Sequence, residues 1–140
     1  MKPRLFYLLN QAQGQLYKQS DRILQNVAEI SVNQSAVLLA LEKEDGASLS
    51  DLKDALKINK SSIGALVERM AASELIYRKT DESDTRKTRV YIDEKGQSKL
   101  EQIKTLIKTQ NALLTDGFKP DQIDVIIQFL EATIQKTNRP

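Results

Sequence analysis

Apolar residues recur three and four apart from the start of the chain. Leu5, Leu8, Leu9, Ala12, Leu16, Ile23, Leu24 and Val27 follow a 3.6-residue period, which predicts one long amphipathic helix from Pro3 to about Ala28. Ser31-Val32-Asn33-Gln34 has the form of a capping box, and the apolar run from Ala36 to Leu41 predicts a second helix ending near Asp45-Gly46. Ser48-Leu49-Ser50-Asp51 can cap a short third helix carrying Leu52, Ala55 and Leu56, with a turn at Lys57-Ile58. Asn59 suits the N-cap of a fourth, in which Ile63, Leu66, Val67 and Met70 lie at i, i+3, i+4 and i+7. Two short helices around a tight turn read as helix-turn-helix.

Beyond Glu74 the period changes. Leu75 to Thr80 and Thr88 to Ile92, separated by a polar stretch, predict a β-hairpin, and a hairpin directly after a helix-turn-helix is a wing. Leu100, Ile103, Leu106, Ile107, Leu113 and Leu114 mark a long helix from about Glu94 to Thr115. Pro120 starts a last one with Ile123, Ile126, Ile127, Leu130 and Ile134. The expected fold is mainly α: a winged helix-turn-helix lobe over residues 31–96, with a two-stranded β wing, between a dimerisation helix (1–30) and C-terminal dimerisation helices (97–140). Leu100, Ile103 and Leu106 with Ile123, Ile126 and Ile127 form stripes that one small lobe cannot cover, which predicts a homodimer.

Composition narrows the chemistry. The 140 residues contain neither Cys nor His, which excludes disulfides and thiol redox sensing and removes the commonest metal ligand and general base. No cofactor, no metal site and no catalytic residues are expected. Acidic clusters such as Glu42-Glu44-Asp45 read as helix-end charges. The N-terminal stretch lacks the apolar core of a signal peptide and no run is long enough to span a membrane, so a cytoplasmic protein is expected. The net charge of +2 is too small to argue for nucleic acid by itself.

The order of elements and three motifs resemble the MarR family of bacterial regulators from about Leu5 to Lys136. Ser31-Val32-Asn33-Gln34 before Val37-Leu38 is similar to the family's Leu-Thr-x-x-Gln segment. Asn59-Lys60-Ser61-Ser62-Ile63 through Val67-Glu68-Arg69-Met70 resembles its recognition helix, and Asp81-Glu82-Ser83-Asp84-Thr85-Arg86 its Asp-x-x-Asp-x-Arg wing, followed by Val90, Ile92 and Glu94-Lys95-Gly96. Gly64, Ala65, Glu74, Asp93 and Lys119 depart from the family pattern. The resemblance implies a dimeric transcriptional regulator, usually a repressor relieved by a small aromatic or phenolic ligand, bound to a pseudo-palindromic site in double-stranded DNA. It also implies that Asp84 supports the wing and that Arg86 enters a groove.

On the recognition helix the candidate DNA-binding residues are Asn59, Lys60, Ser61, Ser62 and Arg69. On the wing they are Arg78, Asp84, Arg86, Lys87 and Arg89, with Arg86 suited to a narrow minor groove and Lys87 and Arg89 to flanking phosphates. The same residues also read as capping serines and a solvated charged turn, because Asp81, Glu82 and Asp84 cancel much of the local charge. Gly64 points either to close packing against another helix or to close approach of DNA. Phe6, Tyr7 and Tyr17 read as core or as the lining of a ligand cavity. The alternative class is a winged-helix protein-interaction module that does not bind DNA, and the salt dependence of duplex binding separates the two.

Overall fold

A computed structural model describes residues 4–138, in two compact units, residues up to 104 and from 105 onward. The six expected helices are α1 (Leu5–Ala28), α2 (Val32–Lys43), α3 (Leu49–Leu56), α4 (Lys60–Ala72), α5 (Glu94–Thr115) and α6 (Pro120–Thr137). Pro3 lies outside the described residues. The hairpin is β2 (Ile76–Thr80) and β3 (Thr88–Ile92), paired antiparallel. A short strand not expected from the sequence, β1 (Ala47–Ser48), joins the free edge of β3 with Ala47 opposite Val90, making a three-stranded sheet in the order β1-β3-β2. Two residues are too few to show alternation, so β1 left no periodic signal.

Boundaries follow local chemistry. Ser31 and Gln34 close their capping box, Ser31 Oγ accepting from the Gln34 amide at 3.1 Å and Gln34 Oε1 from the Ser31 amide at 3.0 Å. Asp21 Oδ1 accepts from the Val32 amide at 3.0 Å and ties α1 to the start of α2. α1 and α3 end at left-handed residues, Glu29 and Lys57, and the α4–β2 turn holds Glu74 at φ 62°. Glu74 thus adopts the backbone conformation for which glycine is usual.

The core of the first unit gathers Leu24, Ala28, Ile30, Val37, Leu38, Leu41, Leu52, Ile63, Leu66, Val67, Met70, Ile76 and Val90. Leu100 and Ile103, expected on a dimerisation stripe, are buried in this core instead, because α5 begins against the lobe. Gly96 permits that approach. A Cβ there would collide with the carbonyl oxygen of Leu75, the acceptor for the Asp93 amide at 3.0 Å. Much of α1 remains uncovered: Leu5, Phe6, Tyr7, Leu8, Leu16 and Tyr17 are exposed. In the second unit Leu113, Val125, Ile126, Ile127 and Ile134 are exposed, and α6 has no buried residue. No described helix is long and apolar enough to cross a membrane.

Candidate nucleic-acid interface

The α3–turn–α4 segment is set by its caps. Ser48 Oγ accepts from the Asp51 amide at 3.0 Å, while Asp51 Oδ2 accepts from the Ser48 amide at 3.2 Å. Asn59 Oδ1 starts α4, accepting from the Ser62 amide at 2.8 Å and the Ser61 hydroxyl at 2.9 Å. The Asn59 oxygen and the Ser61 proton are therefore engaged within the protein. Lys60, Ser62 and Arg69 are exposed, with no side-chain partner among the described residues. Burial of Ile63, Leu66, Val67 and Met70 turns Ser61, Ala65 and Glu68 outward at i, i+4 and i+7.

At the wing's root, Asp81 is the organising group. Its Oδ1 accepts from the Ser83 amide at 2.8 Å, the Ser83 hydroxyl at 2.7 Å and the Asp84 amide at 3.1 Å, forming an Asx-type turn. Its Oδ2 accepts from Arg89 Nε at 2.6 Å, and Arg89 Nη1 donates to the Gly46 carbonyl at 3.0 Å. One guanidinium thus ties β3 to the wing loop and to the α2–β1 turn. Hydrogen bonds from the Ser83 hydroxyl, and then from Arg89, hold the Asp81 carboxyl well below the usual carboxylate range. Gly46 is required in this corner, since its φ is +86° and a Cβ would press on the Tyr91 ring. Arg89, expected at flanking phosphates, is placed here rather than with the exposed cations of the tip.

The tip presents Arg86 and Lys87. The Arg86 side chain is 89% exposed, its Nε donating to Asp84 Oδ1 at 3.1 Å, and the same oxygen accepts from the Arg86 amide at 3.1 Å. Arg86 holds the Asp84 carboxyl below its ordinary range. Lys87 is exposed, and no hydrogen bond or ion pair holds its ammonium among the described residues. Arg78, opposite Val90, stands on the α4 side of the hairpin, exposed and equally unpartnered. On the other side Tyr77 and Tyr91 stack with centroids 5.3 Å apart, and Lys79 lies 5.7 Å from each ring. Sequence reasoning missed the role of Asp81, although an aspartate two residues before a serine is an Asx-turn signal.

A helix-turn-helix followed by a hairpin with cations on both defines a winged-helix protein. Residues 29–87 match the model of the MarR family, and the chain shares its fold with solved MarR regulators. A MarR transcriptional regulator from Methanosarcina mazei Go1 is 26% identical, with a TM-score of 0.81 over 93% of this chain and 96% of that one. FabT of Streptococcus pneumoniae, solved in complex with DNA, is 17% identical with a TM-score of 0.84 over 94% of each chain. PcaV of Streptomyces coelicolor, solved with its natural ligand, is 20% identical with a TM-score of 0.79 over 95% of this chain and 93% of that one. No curated protein matches the chain by sequence.

Proposed function

We propose that the protein is a homodimeric repressor that binds a pseudo-palindromic operator and is released by a small aromatic or phenolic ligand. The observation that carries the reading is the set of exposed cations without a partner among the described residues on two adjoining projections, Lys60 and Arg69 on α4 and Arg78 and Lys87 on the wing. Such cations neutralise phosphates and set register, while α4 is placed to lie in a major groove. In this reading Lys60, Ser62 and Arg69 meet the backbone or base edges, Arg86 enters the minor groove and Lys87 meets a phosphate. Asp84 orients Arg86. Asn59 and Ser61 order the start of α4, and Arg89 acts as a positioning residue.

The apolar faces of α1 and of the second unit support the dimer, because exposed side chains as large as Phe6, Leu113 and Val125 call for burial. Light scattering is expected to give twice the chain mass at micromolar concentration, and a folded monomer with its terminal helices intact would refute the dimer. The solved ligand complex of PcaV supports a small-molecule effector.

Titration with random duplex DNA across a salt series tests the DNA reading. Binding should weaken linearly in log affinity against log salt, with a slope of about −0.9 for each phosphate neutralised. Flat dependence, or no binding at low salt, would favour a protein-interaction module, which the outward-facing Ala65 and Glu68 would suit.

A further inference from the structure

A cleft of about 320 Å³ opens between α4 and the wing. Leu49 and Val67 give it an apolar floor, Thr80 and Thr88 face each other across β2 and β3, and Arg78 stands at its side. None of its lining residues is acidic, whereas the neighbouring hollow on the wing includes Asp81 and Glu82. Lys79 also borders the cleft but leans over the two tyrosines, leaving Arg78 as its unengaged cation.

Gly64 forms the helix side of this cleft, and nothing in the fold requires a glycine there. It is not among the positive-φ residues, and a Cβ built on it meets nothing within 4 Å. Close packing against another helix of this chain, one of the two explanations that the sequence left open, is thereby removed. A glycine inside a helix weakens it relative to alanine, so what Gly64 contributes is the open space itself.

We propose that this cleft seats a sugar–phosphate segment of bound duplex DNA, and that Gly64 sets how closely the strand approaches α4. Arg78 faces the phosphate, the hydroxyls of Thr80 and Thr88 hydrogen-bond it, and the half-buried Leu49 packs the deoxyribose. Any side chain at position 64 would occupy the entrance. The inference rests on the DNA-binding reading and adds to it a particular seat and a residue that controls access.

Fluorescence anisotropy of one labelled duplex across a salt series, with thermal unfolding of each variant, tests it. Gly64→Leu is expected to lower affinity about tenfold without lowering the unfolding midpoint, and Gly64→Ala to lower it a few-fold while raising the midpoint. Arg78→Ala should reduce the salt slope by about one unit. Combined with Gly64→Leu it should add little, because both changes empty the same seat. Wild-type affinity and slope in both Gly64 variants, or effects that multiply in the double variant, would overturn the seat while leaving DNA binding intact. If Gly64→Leu fails to fold, Gly64→Ala decides alone. Absence of salt-dependent binding by the unaltered protein would overturn the DNA reading and the seat together.

Discussion

The root and the tip of the wing each join an arginine to an aspartate, in the same hairpin and three residues apart. At the root, Asp81 is nearly covered and accepts four hydrogen bonds, and Arg89 divides its guanidinium between that carboxylate and a backbone carbonyl of another loop. At the tip, Asp84 and Arg86 form an open pair in which the guanidinium stays almost wholly in solvent. Exposed pairs contribute little to stability, whereas a covered carboxylate that loses its partner is left poorly solvated. The root therefore belongs to the fold, and the tip is free to exchange Asp84 for a DNA groove.

The largest effect is expected at the root. Arg89→Ala should lower the thermal midpoint more than any tip substitution and weaken every duplex, because the hairpin loses its tie to Gly46. Arg89→Lys should not restore it, since an ammonium cannot reproduce the two separate N–H directions of the fork. The acid limb follows from the direction of the Asp81 shift. A carboxyl held below its unfolded value of about 3.9 stabilises the fold above that pH, and the contribution is lost as pH falls through the depressed folded value. Side-chain carboxyl shifts followed by NMR should therefore show Asp81 still ionised at a pH where ordinary aspartates have taken up protons. An unperturbed Asp81 titration, or an unchanged midpoint in Arg89→Ala, would erase the distinction between root and tip.

Smaller effects, confined to DNA, are expected at the tip. Arg86→Ala should leave the midpoint unchanged and weaken binding by about tenfold, most on sites with A·T-rich flanks, where a narrow minor groove rewards an inserted guanidinium. Lys87→Ala should weaken all duplexes by a similar factor and lower the salt slope by about one unit. Titrations against A·T-rich and G·C-rich flanks at two salt concentrations distinguish them. Unchanged affinity of Arg86→Ala on both flanks would remove the tip from the mechanism.

What the sequence made legible differs between these regions for a physical reason. Helices and caps were readable because apolar period and capping chemistry are local: Ser31 with Gln34, and Asn59 with Ser62, lie within one turn. The Asp84–Arg86 pair was readable for the same reason, being two residues apart. The tie that Arg89 makes within the fold was not readable because its second partner, the Gly46 carbonyl, is 43 residues away and carries no side-chain signature. Gly96 was noted only as part of a family motif, since its reason is the Leu75 carbonyl across the β2–α5 corner. Leu100 and Ile103 were assigned to the dimer because a helical stripe reports that a face is covered, not which neighbour covers it.

The smallest and most diagnostic change is at Asp84, where two consequences of removing the carboxylate oppose each other. The side chain orients Arg86 through both its Nε and its amide, so losing it should blur insertion into the groove. It also carries a negative charge that faces the approaching phosphates, and removing that charge favours binding to any duplex. Asp84→Ala is therefore expected to narrow the preference for A·T-rich flanks while changing affinity for random duplex by less than about threefold, in the direction of tighter binding at low salt. Asp84→Asn separates the two contributions. The amide oxygen can still accept from the Arg86 backbone and keep the turn, but the charge attraction that holds the guanidinium is gone. If backbone orientation is what matters, Asp84→Asn should retain the flank preference that Asp84→Ala loses. If the ion pair is what matters, both variants should lose it equally, and a flank preference intact in both would show that Arg86 finds the groove without help from Asp84.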